Sequence, residues 1–127
     1  MAELNKIMAV EDEADIRMVL EVALRDVADF DLQVCSSGAE ALELAPSFQP
    51  DLILLDVMMP DMDGPDTLEA LRELPETAET PVIFLTAKVQ SREVQRFREI
   101  GAIGVIAKPF DPMDLAEEVR RVWGGGG

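Results

Sequence analysis

Leu52-Ile53-Leu54-Leu55-Asp56-Val57-Met58-Met59-Pro60-Asp61-Met62-Asp63-Gly64 is the stretch on which the fold turns. Its aliphatic run from Leu52 to Leu55 leaves no polar face, so it reads as a strand buried on both sides, as in a parallel sheet, rather than a half-exposed strand. Asp56 then stands at the strand's carboxyl end. Open parallel sheets gather their ligands in the crevice beyond those ends, and an unpaired buried carboxylate costs several kcal/mol. Asp56 would equally open the turn that Pro60, Asp61, Asp63 and Gly64 make. Taken alone, the stretch leaves both readings open.

The flanking sequence repeats the pattern. Ile7-Met8-Ala9-Val10 is a short apolar strand running into Glu11, Asp12 and Glu13, and a helix follows from Ala14 to about Asp26 with Ile16, Val19, Leu20, Ala23 and Val27 at helical spacing. Leu32, Val34 and Cys35 mark a weaker strand; Ala39 to Ala45 is a short helix stopped by Pro46 and Pro50. After the Asp56 turn, Pro65 to Leu74 is helical with Leu68 and Leu71 inward. Pro81-Val82-Ile83-Phe84-Leu85 is a fourth strand ending in Thr86, and Ser91 caps a helix reaching about Ile100, with Val94 and Phe97 inward. Val105-Ile106-Ala107 ends in Lys108-Pro109. Asp111 then caps a last helix, with Pro112 at its first position and Met113, Leu115, Val119 and Val122 inward.

Five strands alternating with five helices imply right-handed crossovers and a doubly wound α/β sandwich. In such a sheet the residues ending the strands converge: Glu11 and Asp12, Asp56, Thr86 and Lys108. Three carboxylates at one point repel unless a hard divalent cation sits among them, and oxygen ligands of this kind suit magnesium. A hydroxyl and an ammonium beside them suit a phosphoryl group.

Composition narrows the chemistry. The chain has 127 residues, which fits one domain, expected over residues 1–123 with a flexible glycine tail at 124–127. Acidic residues number 26 against 11 basic, a net charge of −15, and the sequence offers no basic patch for nucleic acid. The absence of histidine removes serine–histidine and cysteine–histidine catalysis and imidazole metal sites. A single cysteine, Cys35, allows no internal disulfide and reads as a small buried hydrophobe. Apolar runs too short to span a bilayer and the lack of a signal segment give the expectation of a cytoplasmic protein without a membrane partner.

Four motifs, in order and at the expected strand ends, resemble those of receiver domains of two-component response regulators: Val10-Glu11-Asp12-Glu13, Asp56 through Gly64, Leu85-Thr86-Ala87 and Ala107-Lys108-Pro109-Phe110. The resemblance extends from about Leu4 to Trp123. It implies a flavodoxin-like five-stranded sheet of order 2-1-3-4-5, as in the chemotaxis receivers. It also implies that Asp56 accepts a phosphoryl group from a sensor histidine kinase or a histidine phosphotransfer protein. Magnesium would be held by Glu11, Asp12, Asp56 and the backbone carbonyl of Met58. Thr86 and Lys108 would contact phosphoryl oxygens, and Pro109, usually cis in the family, would aim the lysine. Such a domain is not an enzyme in the ordinary sense, although it catalyses its own magnesium-dependent phosphorylation and dephosphorylation. Its downstream partner would use the face of the fourth helix, fifth strand and fifth helix.

The chain departs from that pattern at Val105, where many members carry tyrosine or phenylalanine, so the aromatic half of the familiar switch is missing. Met58 and Lys88 occupy positions that tune acyl-phosphate lifetime in the family. Two alternatives are a stand-alone switch or phosphate shuttle and a receiver excised from a larger regulator or hybrid kinase. A dehalogenase-type phosphatase would need an acid where Met58 stands, and a flavodoxin-like binding module would need a glycine- and threonine-rich loop after Val10. Apolar residues of the last two helices would serve the core or a homodimer formed on phosphorylation, core being the commoner use.

Overall fold

The structure, a computed structural model, describes residues 3–124; the glycines expected as a tail lie, from residue 125 onward, outside the described residues. Five strands, β1 (Lys6–Val10), β2 (Asp31–Cys35), β3 (Leu52–Asp56), β4 (Val82–Thr86) and β5 (Gly104–Ala107), form one parallel sheet of order β2-β1-β3-β4-β5. The helices are α1 (Ala14–Leu20), which continues as a π-helical segment over Glu21–Val27, α2 (Gly38–Phe48), α3 (Gly64–Arg72), α4 (Ser91–Glu99) and α5 (Leu115–Trp123).

The pleat divides the core in two. Ile7, Ala9, Leu52, Leu54, Ile83, Leu85 and Ile106 point to the side of α1 and α5, where they meet Leu20, Leu24, Leu115 and Val119. Met8, Val10, Ile53, Leu55, Val82 and Phe84 point to the side of α2, α3 and α4, against Ala41, Leu68, Leu71 and Phe97. Phe84 and Phe97 pack with ring centroids 4.9 Å apart at 58°. Both faces of β3 are therefore covered, as its unbroken apolar run requires.

Several local expectations are corrected. Pro46 does not stop α2: it lies inside the last turn, and the helix ends where Gln49 enters the left-handed region at φ 52° and donates to the Ala45 carbonyl at 2.9 Å. A proline this close to a carboxyl terminus forfeits only one bond of a ladder that is about to end. Val27 is exposed rather than inward, because the wider π-helical turn from Glu21 changes the helical phase and brings Leu24 to the core instead. Ser91 is the first residue of α4 and not its cap; Gln90 holds that position without a side-chain bond. Asp111 caps a turn by accepting from the Met113 amide at 2.8 Å, α5 begins only at Leu115, and Met113 is exposed. Helix α3 closes at Arg72, short of the expected Leu74, with Leu68 and Leu71 buried as expected.

Candidate functional site

The same pleat that sorts the core builds the site. Carried one step past the strands, the α1/α5 side of the sheet continues from Ile7 and Ala9 to Glu11, from Leu52 and Leu54 to Asp56, and from Ile106 to Lys108. Thr86 follows Val82 and Phe84, on the other parity. Parallel register aligns these ends, Val10 opposite Leu55, Asp56 opposite Leu85 and Thr86 opposite Ala107. Glu11, Asp56 and Lys108 consequently meet.

Lys108 Nζ donates to Asp56 Oδ1 at 3.0 Å and to Glu11 Oε1 at 3.1 Å. Both carboxylates are buried, Glu11 completely. Burial, reinforced by the charge of Asp56, pushes the Glu11 carboxyl up to about 7 although the Glu13 amide and Lys108 oppose the shift. Burial likewise raises Asp56, with Lys108 opposing. Burial pulls Lys108 down, yet the bonds to Asp56 and Glu11 outweigh it and its ammonium is held above the ordinary lysine range. One cation thus serves two buried anions.

Asp12 completes the cluster. One ligand oxygen from each of Glu11, Asp12 and Asp56 falls within a group no more than 4.8 Å across, and Asp12 Oδ1 is a buried oxygen without a hydrogen-bond partner among the described residues. Native structures rarely leave such an atom unpaired. Hard oxygen donors, excess negative charge and an orphaned carboxylate oxygen fit a divalent cation of the magnesium class.

The remaining expected residues take separate places. Thr86 is buried beside the cluster, and its Oγ1 accepts from the Lys88 amide at 3.0 Å. Met58 lies two residues beyond Asp56 with its side chain 78% exposed, so a ligand role there would fall to the main chain. The Lys108–Pro109 peptide is cis, as the resemblance implied, and the Lys108 amide donates to the Thr86 carbonyl at 2.9 Å. The loop from Val57 to Gly64 folds back tightly: the Gly64 amide reaches the Val57 carbonyl at 2.9 Å, and a Cβ on Gly64 would stand 2.6 Å from the Asp56 carbonyl oxygen. Val105 is half-buried on β5.

Sequence reasoning missed Arg17. Its Nη1 donates to the carbonyls of Glu11 at 2.9 Å and Asp12 at 2.8 Å. The available signal was its position, one helical turn after Glu13 and so at the start of α1 against the acidic loop.

The family model described as "Response regulator receiver domain" matches residues 7–120. The chain is similar to the DNA-binding response regulator MtrA of Mycobacterium tuberculosis, 37% identical over 116 residues that make up 91% of this chain and 49% of that one. Against the probable transcriptional regulator ycf29 of Porphyra purpurea it is 34% identical over 116 residues, 91% of this chain and 55% of the relative. It therefore spans about half the length of such relatives. Among solved structures, the chemotaxis response regulator CheY4 of Vibrio cholerae superposes with a TM-score of 0.86 at 32% identity, covering 94% of this chain and 99% of that one. The receiver domain of the sensor histidine kinase PA1611 from Pseudomonas aeruginosa PAO1, solved with a magnesium ion in its active-site cleft, gives 0.80 at 26% identity, with 96% and 99% covered. With its strand order, its acid cluster and these matches in agreement, the chain belongs to the response regulator receiver family and is a receiver domain of two-component signal transduction.

Proposed function

We propose that Asp56 is the phosphoacceptor of this receiver, taking the phosphoryl group of a phosphohistidine on a sensor kinase or phosphotransfer protein. The observation that carries the reading is Lys108 Nζ held between Asp56 Oδ1 and Glu11 Oε1 beside the unpartnered Asp12 Oδ1. An Asp56 oxygen attacks phosphorus, the P–N bond breaks with its electron pair going to the imidazole, and an acyl phosphate results. A carboxylate nucleophile needs neutralised charge more than it needs a base. Lys108 supplies a cation at the attacking group and is within reach of an incoming phosphoryl oxygen. The Thr86 hydroxyl keeps its proton available for a second oxygen, because it accepts from Lys88 in the resting state.

Glu11, Asp12, Asp56 and the Met58 carbonyl are the groups that would hold magnesium. When bound, the ion supplies Lewis-acid neutralisation of charge on the transferred group. In this reading the domain catalyses its own phosphorylation and dephosphorylation rather than turning over a separate substrate. Output runs through a protein partner on the α4, β5 and α5 face, with Val105 in place of an aromatic side chain. The net charge of −15 argues against direct nucleic-acid contact by these residues. A receiver within a longer regulator is the second reading, favoured by relatives about twice the length of this chain.

Intact-mass spectrometry after incubation with acetyl phosphate and magnesium tests the proposal. A single hydroxylamine-labile phosphoryl adduct is expected, absent with chelator and absent in Asp56→Asn. An adduct that survives Asp56→Asn, or none on the folded wild-type protein, would refute it.

A further inference from the structure

The acidic loop after β1 has an unusual support. Glu11, Asp12 and Glu13 are consecutive acids, and the Glu13 side chain makes no capping bond at the start of α1. Two bonds hold the carboxylate side of this loop, Glu13 amide to Glu11 Oε2 at 3.1 Å and Lys108 to Glu11 Oε1. The carbonyl side is held by one nitrogen. Arg17 Nη1 takes both the Glu11 and the Asp12 carbonyls, at 2.9 and 2.8 Å, from a half-buried position on α1. Two adjacent peptide oxygens converging on one guanidinium nitrogen fix the two peptide planes that carry them. Fixing those planes fixes where the Glu11 and Asp12 side chains leave the main chain.

We propose that Arg17 is a positioning residue for the cation site: by clamping the main chain of Glu11 and Asp12 it keeps both carboxylates converged on Asp56. The inference rests on the magnesium reading of the acid cluster. A charge argument opposes it, since a cation near a cation site lowers affinity by Coulomb repulsion. The geometry decides between the two effects. The Arg17 charge is spent on carbonyl oxygens, whereas Lys108 is the cation in contact with the carboxylates. Groups that orient metal ligands typically contribute 10–100-fold to metal affinity, while the charge of Lys108 already stands nearer to the ligands.

Isothermal titration of the metal-free protein with magnesium chloride, at fixed pH and ionic strength, separates the two. Arg17→Gln, which removes charge and clamp, is expected to bind magnesium roughly 10-fold more weakly than wild type. Arg17→Lys, which keeps a charged donor, is expected to fall between. Melting in chelator controls for folding: a cooperative transition shows that Arg17→Gln is folded, and the increase in Tm that magnesium then produces is smaller than in wild type. Tighter binding by Arg17→Gln than by wild type would show that charge dominates and overturn the proposal, as would equal binding by all three proteins. Wild type that binds no magnesium would instead overturn the reading of the cluster itself. Should Arg17→Gln fail to fold, Arg17→Lys against wild type still decides, because equal affinity there means that clamp geometry is immaterial.

Discussion

Titrating the metal-free protein should destabilise it between pH 5.5 and 8, opposite to the behaviour of ordinary salt-bridged carboxylates. Glu11 is fully buried and its carboxyl is raised from 4.5 to about 7. A group whose folded pKa lies above its unfolded value binds its proton more tightly when folded. Its stabilisation is complete below the unfolded pKa and is lost as pH rises through the folded one. Over this window the Glu11 shift alone removes about 2 kcal/mol. Asp56 is raised by burial in the same direction, so its own contribution also falls with rising pH. Lys108 stays protonated in both states and contributes no slope. Since the chain has no histidine, no ordinary side chain titrates in the same range. For a domain of this size the loss corresponds to a Tm lower by roughly 6–8 °C at pH 8 than at pH 5.5. Differential scanning fluorimetry in chelator measures it. Saturating magnesium should lift the pH 8 end most, and Glu11→Gln should flatten the slope while raising the Tm at pH 8. A flat or rising Tm in chelator, or an unchanged slope in Glu11→Gln, would refute the electrostatic account of the cluster.

Three further outcomes follow from the same geometry. Lys108→Met leaves two buried carboxylates without their cation, so urea unfolding at pH 8 in chelator should show a loss of about 3 kcal/mol that narrows at pH 5.5; an equal loss at both values would show that packing, not charge, is affected. Gly64→Ala places a methyl group 2.6 Å from the Asp56 carbonyl oxygen and 2.8 Å from Val57 Cα, and main-chain atoms yield little; a cost of about 1–3 kcal/mol is expected, and wild-type stability would contradict the tight β3–α3 turn. Burial and the charge of Glu40 push the Cys35 thiol up to about 12, so the native protein at pH 8 should resist a disulfide reagent that labels it promptly in denaturant. Stoichiometric labelling of the folded protein within minutes would place Cys35 outside the core.

What the sequence determined by itself is whatever depends on period and strand end. The apolar runs at Ile7–Val10, Leu52–Leu55 and Val82–Leu85, short and bounded by turn residues, read as two-sided strands, and a parallel sheet puts Glu11, Asp56, Thr86 and Lys108 along one edge. Even the division of that edge was latent there, because the two-residue pleat assigns Glu11, Asp56 and Lys108 to one face and Thr86 to the other. Tertiary structure decided what depends on distances between segments remote in sequence or on departures from ideal period. The one-lysine, two-carboxylate arrangement needs residues 11, 56 and 108 within about 3 Å of a shared nitrogen, a separation that no local pattern encodes. Arg17 looks like one more surface cation until the loop before it turns both carbonyls towards its helix. Pro46 and Val27 mislead for a related reason: a helix-breaking propensity and a 3.6-residue period are averages, and the first costs little where the ladder is about to end while a π-helical turn replaces the second.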